Sequence, residues 1–193
     1  MAKQLLFSTL FLAMVITGCN NQQATTEEAL ETEETTETTM EVEEEQERPS
    51  PLRQVSGTID GVSVNMQYSS PGVKGRTVWG DLVKYGEVWR TGANEATWVE
   101  FDKDAMVGGE MVPAGKYALF TVPAEEGDWE VILNSEWNQW GAYDYDEAKN
   151  VARFMVSPAS SAEMTERMDF KVGENIVFQW ENMMFAIPVE AAG

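Results

Sequence analysis

Lys74, Arg76, Trp79, Arg90, Asn94 and Glu95 fall within one stretch, Ser69 to Phe101 (SSPGVKGRTVWGDLVKYGEVWRTGANEATWVEF), and Trp140 and Tyr143 follow in a second irregular segment. Together these residues have the chemistry of a recognition site. A guanidinium donates parallel hydrogen bonds to a carboxylate or sulfate, and an exposed indole or phenol face can stack a sugar ring. Asp81 and Glu95 would also meet the minimum for acid/base hydrolysis of a glycoside, which needs two carboxyls at a set separation. In a chain with 33 acidic residues such pairs arise by chance, so binding is favoured over catalysis. A purely supporting role, with Arg90, Asn94 and Glu95 satisfying one another beneath a loop at the end of a sheet, is the competing expectation.

Other chemistries are excluded or disfavoured. The chain has no histidine, which removes Ser-His-Asp and Cys-His nucleophiles, His-ligated zinc and imidazole acid/base steps. Asp144, Asp146 and Glu147 place oxygens at the spacing of a calcium loop but lack its glycine and terminal glutamate, and read as a solvated acidic turn leading into a short helix. Gly108-Gly109 is a hairpin turn, because no helix follows it to make a phosphate loop. The residues call for no metal and no cofactor.

The net charge of −20 is uneven. Residues 20 to 51 hold eleven Glu against one Arg, and residues 52 to 193 hold 22 acidic against 11 basic side chains. A nucleic-acid partner is therefore disfavoured, since phosphate binding needs clustered cations. Residues 1–18, with Lys3 ahead of an apolar run from Leu5 to Ile16, have the plan of a secretory signal too short to span a bilayer. The run ends Ile16-Thr17-Gly18-Cys19, which resembles a lipoprotein lipobox. Lipidation of Cys19, the sole cysteine, would make a membrane the first partner. Residues 19–51 are then a disordered acidic linker, too poor in apolar side chains to fold. The stretch after Cys19 also resembles the acidic export signals of surface lipoproteins. The expected address is the outer membrane, periplasm-facing or exposed at the cell surface.

From residue 52 the hydrophobic period becomes two. Gln54–Ile59 and Val62–Tyr68 form a predicted hairpin around Asp60-Gly61, with Val62, Val64, Met66 and Tyr68 on one buried face. Further strands are expected at 96–101, 105–107, 110–112, 116–123, 129–134, 151–157, 168–172, 176–181 and 183–189, the last two joined by a turn at Asn182. The strand over 116–123 is apolar on both faces and should be central. A short helix is expected from Thr77 to Leu82. Trp89, Trp98, Trp129 and Trp180, lying on strands, are expected in the core. The fold class is all-β, an antiparallel β-sandwich, jelly-roll-like, over residues 52–193.

Several strings have low degeneracy: Ser70-Pro71 through Lys74-Gly75-Arg76, Trp79-Gly80-Asp81-Leu82-Val83, Trp89-Arg90-Thr91-Gly92-Ala93-Asn94-Glu95, Pro113-Ala114-Gly115 and Trp140-Gly141-Ala142-Tyr143. They resemble the Bacteroidota family known as domain of unknown function 2911, over essentially residues 53 to 190. The resemblance implies a secreted or lipid-anchored β-rich protein and no particular reaction. The expected function is a lipid-anchored extracytoplasmic domain binding a small anionic or carbohydrate ligand, or an envelope partner, through Lys74, Arg76, Trp79, Arg90, Asn94, Glu95, Trp140 and Tyr143. A carboxylate-dependent glycan hydrolase and a structural envelope protein are the alternatives.

Overall fold

The first hairpin forms as its residues dictate. Strands β1 (Leu52–Ile59) and β2 (Val62–Ser69) pair antiparallel with Ile59 opposite Val62, so only Asp60 and Gly61 make the turn. Both take positive φ, 47° and 75°, as a type I′ turn requires. Val62, Val64, Met66 and Tyr68 are all buried on one face. These details come from a computed structural model that describes residues 48–193. The signal, Cys19 and the linker as far as Glu47 lie outside the described residues.

Nine more strands follow: β3 (Trp98–Phe101), β4 (Ala105–Val107), β5 (Glu110–Val112), β6 (Gly115–Val122), β7 (Trp129–Asn134), β8 (Asn150–Val156), β9 (Ala159–Val172), β10 (Ile176–Ile187) and β11 (Val189–Ala191). Six of the strands form one antiparallel sheet in the order β1-β2-β3-β6-β7-β8, with β6 in its interior as its two apolar faces require. The β9–β10 ladder and the β11-β4-β5 sheet supply the opposing layer. Between the layers lies the main core, in which Val64, Met66, Val99, Leu119 and Val131 meet Phe170, Phe178, Trp180 and Phe185. On the outer face of the large sheet a smaller cluster of Ala96, Ala118, Phe120 and Ile132 is covered by Val88, Ala142 and Tyr145. Segments 88–96 and 142–145 are thus held against the sheet by burial.

Four local expectations are corrected. Thr77–Leu82 is not a helix. Val83 donates its N–H to Val78 O (2.8 Å) and Gly80 donates to Val83 O (2.8 Å), closing tight turns instead. The helical turn in the described chain is a 3-10 segment, Glu147–Lys149, capped by Asp146, whose carboxylate accepts from Ala148 N–H at 2.9 Å. No turn breaks the chain at Asn182: β10 runs through it, and its register against β9 shifts on either side of Glu181, which has φ 53°. The partner strand β9 begins at Ala159, nine residues earlier than its apolar pattern suggested. Finally, Trp98 is half-buried on the outer face, under the Lys116 ammonium 3.7 Å from its ring centroid, and is not in the core.

The other strand tryptophans do enter the core, and Trp79 joins them. Its ring lies 4.7 Å from Trp129, 5.7 Å from Trp180 and 5.9 Å from Trp89, mostly edge-on. Trp89 stacks on Trp180 at 5.7 Å with 21° between planes. Each aromatic pair adds about 0.5–1.5 kcal/mol beyond area burial, so this cluster stiffens the end of the sandwich where the irregular segments converge.

Candidate functional site

Trp89 and Thr121 exchange backbone hydrogen bonds of 2.8 and 2.9 Å, and Leu119 N–H donates to Thr97 O at 2.8 Å. Residues 90–96 therefore bulge out between two points where the chain is fixed to β6. The bulge is clamped from within. Thr97 Oγ1 donates to Thr91 O (2.7 Å), Trp89 Nε1 donates to Gly92 O (3.1 Å), and Ala93 N–H donates to Ser69 O (3.2 Å). A Cβ on Gly92 would stand 2.9 Å from Thr97 Oγ1 and 3.1 Å from Ser69 O, so this close approach needs glycine. Thr91 and Asn94 adopt left-handed φ of 50° and 57°, a costly conformation for a β-branched residue such as Thr91 that the clamping bonds hold in place.

Arg90 projects from this bulge into a cavity of about 180 Å³. The walls are Pro71, Leu82, Val83, Trp89, Gly92, Ala93 and Trp180, with Arg76 and Ser50 completing them, and among the described residues no carboxylate lines the space. Arg76 uses two of its donors on its own loop, Nη2 to Gly72 O (2.6 Å) and Nε to Val73 O (3.1 Å). Arg90 has no such outlet: its Nε is buried without an acceptor among the described residues, and so is Trp180 Nε1, on a side chain only 1% exposed. Burial pulls the Arg90 pKa down from its ordinary value, partly opposed by the nearby Tyr143 phenol, and the guanidinium stays protonated.

The carboxylate expected to pair with Arg90 is engaged elsewhere. Glu95 Oε1 accepts from Arg48 Nη2 at 2.6 Å and its Oε2 accepts from the Ser69 hydroxyl at 3.0 Å. Burial pushes the Glu95 carboxyl up, but hydrogen bonds from Arg48, its own backbone N–H and Ser69 outweigh it, leaving the carboxyl below its ordinary value. Arg48 belongs to a strap, residues 48–51, that crosses this end of the domain. Ser70 N–H donates to Pro51 O (2.9 Å), Arg167 Nη1 donates to Pro49 O (3.4 Å), and Ser50 forms part of the cavity wall.

The two irregular segments do meet. Ala96 N–H donates to Gln139 O (3.0 Å) and Gly141 N–H donates to Asn94 O (2.8 Å), which sets Trp140 opposite Glu95. Trp140 and Tyr143 are 55% and 85% exposed, so their faces are free beside the loop, although neither lines the cavity. Asn94 contributes its carbonyl to this seam. Lys74 is exposed and anchored through its backbone N–H to Glu166 Oε1 (2.9 Å); its side chain is not brought to the cavity. Trp79 is no platform either, since its ring packs into the tryptophan cluster, but one part of it lines a separate cavity of about 350 Å³ with Tyr85, Glu125 and Glu181. Asp81 is exposed beside Lys84 and does not line the Arg90 cavity. Asp146 caps its helical turn and Glu147 pairs with Arg153.

Of the residues expected at the site, Arg76 and Arg90 line one cavity, Asn94, Glu95, Trp140 and Tyr143 flank it, and Lys74 and Trp79 stand apart. Sequence reasoning missed Arg48, Ser50 and Trp180. A signal for the first two existed: Arg48 is the only cation between residues 20 and 51 and opens Arg48-Pro49-Ser50-Pro51, a break from the Glu/Thr run. Trp180 carried none, because nothing in a strand pattern says that an indole N–H will lack an acceptor.

The chain belongs to the family described as protein of unknown function (DUF2911), which matches residues 50–189. No curated protein and no solved structure matches it.

Proposed function

We propose that this DUF2911 chain is a lipid-anchored extracytoplasmic domain that recognises a small ligand by an anionic group, received at Arg90 in the cavity between the strap and the tryptophan cluster. One observation carries the reading: a half-buried guanidinium faces a cavity with no carboxylate in its walls among the described residues, while the neighbouring carboxylate of Glu95 is bound to Arg48. Buried charges are ordinarily paired. A ligand anion would supply the missing partner, and Arg76 would add field without moving, because its loop bonds already fix it. The exposed Trp140 and Tyr143 would lie over the entrance of such a site and extend contact to the rest of the ligand.

Turnover is the weaker reading. A general acid for glycoside cleavage needs a raised pKa, and Glu95 is held low by Arg48 and Ser69. The lipobox-like end of the apolar run at Cys19 supports anchoring on a membrane, with the acidic linker as spacer.

The test is thermal denaturation of the full chain with sodium acetate or sodium sulfate against sodium chloride at equal ionic strength. Binding should raise Tm in a saturable way, corresponding to about 2.7 kcal/mol at a hundred times Kd, and Arg90→Gln should remove the response. Identical curves in all three salts would overturn the proposal.

A further inference from the structure

On β1, β2 and β3 the residues that alternate with the core set face outward, and the register brings them together. Ser56 stands opposite Asn65, Asn65 opposite Glu100, and Gln67 opposite both Gln54 and Trp98. Gln54, Ser56, Asn65, Trp98 and Glu100 line a groove of about 270 Å³ on this face, and it shares no residue with the Arg90 cavity. We infer that the groove is a second binding site, for a neutral glycan, with the Trp98 indole as the wall on which a sugar ring packs and the amides, hydroxyl and carboxylate around it as partners for the sugar hydroxyls.

The charges on this face are arranged to leave the groove open. Lys116 lies directly opposite Glu100 on β6, yet its ammonium sits 3.7 Å from the Trp98 ring centroid and 4.5 Å from that of Trp137. Glu100, half-buried, makes no ion pair among the described residues and remains an acceptor. Lys116 reaches Trp98 from β6, whereas the groove lies over β1 and β2, so the cation steadies the ring without filling the site. Gln54 Nε2 donates to Gln67 Oε1 at 3.0 Å, which orients the Gln54 amide and leaves its carbonyl as an acceptor. Asn65 and Ser56 are exposed, and each can donate and accept. A sugar hydroxyl also does both, while the C–H face of a pyranose is apolar enough to pack on an indole. Other ligands fit less well. An apolar one would bury these polar groups without hydrogen bonds. An anion would meet the Glu100 carboxylate, and a cation would be set against the Lys116 ammonium across the Trp98 ring. Neighbouring strands stand about 4.8 Å apart, so a ring on Trp98 leaves about 10 Å over β2 and β1 for the adjoining sugar.

The experiment is native affinity electrophoresis of the full chain through gels containing soluble galactomannan, xyloglucan, laminarin or polygalacturonate, each read against a gel without glycan. At least one of the neutral polymers should retard the chain, and polygalacturonate should not. Asn65→Ala should weaken that retardation about tenfold in apparent affinity, the loss expected for hydrogen bonds to one side chain, and Trp98→Ala should weaken it further. Should Trp98→Ala fail to fold, the exposed Asn65 still decides. Replacing chloride by sulfate at equal ionic strength should leave the retardation unchanged, because an anion at Arg90 occupies a separate cavity. No retardation by any neutral polymer would overturn the inference, as would polygalacturonate retarding the chain equally. Retardation untouched by either variant, or abolished by sulfate, would also overturn it, by placing the glycan elsewhere on the domain.

Discussion

Replacing Arg90 with methionine should make the domain more stable. Methionine keeps an unbranched stem of similar reach against Trp89 and Trp180 and deletes a guanidinium whose Nε is buried without an acceptor among the described residues. Leaving a buried donor unsatisfied costs about 1–3 kcal/mol, more when the group is charged, while the lost contacts of a partly exposed head group are worth less than about 1 kcal/mol. The net expectation is a gain of about 1–2 kcal/mol. For a domain of this size each kcal/mol moves Tm by roughly 3 °C, so Arg90→Met should melt about 3–6 °C higher than the native chain by differential scanning calorimetry, and its melting should no longer respond to acetate or sulfate. Stability withheld in the free state and recovered on binding is the mark of a recognition site. A variant that melts several degrees lower would refute the reasoning: it would mean that Arg90 supports the 90–96 bulge through bonds to the protein, and the scaffold reading would take the place of the anion site.

Three further outcomes follow from the geometry. Tyr68→Phe should cost about 1–3 kcal/mol in urea denaturation, because it strands Asp169 Oδ1, which accepts from the phenol at 2.6 Å, and the Phe170 N–H, which donates to it at 3.2 Å. In the native chain burial and the Asp169 hydrogen bond push the Tyr68 phenol up to about 12; the fold favours the protonated phenol, so its contribution is complete below about pH 10 and is lost as pH rises toward 12, a span worth at most about 3 kcal/mol, and this alkaline slope should vanish in Tyr68→Phe. Arg48→Ala should lower Tm by less than about 3 °C, since the pair with Glu95 is more than a third exposed on the carboxylate side. The Glu95 carboxyl, held low in the native chain, contributes stability above its ordinary pKa that is lost as pH falls through the folded value, so NMR titration should show it moving up in Arg48→Ala and the acid slope shrinking. Gly108→Ala should destabilise by more than about 2 kcal/mol, because its Cβ would stand 2.1 Å from Phe154 Cδ2 at a φ of 60°; native-like melting would show that the β4–β5 turn has room to shift.

What could be read from the sequence divides along the range of the forces involved. The β1–β2 hairpin was legible because its turn chemistry and its period-two face are local, and both agree on one register. The same holds for β4–β5 across Gly108-Gly109 and for β6, whose two apolar faces demand an interior place. Strand β9 was truncated in the reading because Ala159 to Arg167 is polar and largely exposed; its pairing with β10 rests on backbone hydrogen bonds that leave no hydrophobic pattern. Trp98 was placed inside because indoles on strands usually are, whereas its parity with Ala118 puts it outside, and Lys116 covers the exposed ring. At the site, the residue types could be anticipated, but the meeting of the two irregular segments rests on backbone bonds of Ala96 to Gln139 and Gly141 to Asn94 that no local pattern announces. Which carboxylate meets which arginine could not, since that depends on a contact between residues 47 positions apart.

That one contact reorders the site. Had Glu95 turned to Arg90, the pair would have been self-satisfied and the cavity would have had no electrostatic reason to receive anything. Arg48, the last cation before β1, takes the carboxylate instead, and the Pro49-Ser50-Pro51 segment that follows is stiff enough to keep it there while adding Ser50 to the cavity wall. The strap thus holds Glu95 away from Arg90 and leaves the guanidinium available to a ligand. The pair itself is worth little to stability, being partly exposed; its consequence lies in which arginine is left without a partner. A chain beginning at Leu52 would lose Arg48 and Ser50 together and free Glu95 to compete with any added carboxylate for Arg90. The residues just before the first strand therefore belong to the proposed recognition site, although they contribute no strand to the fold.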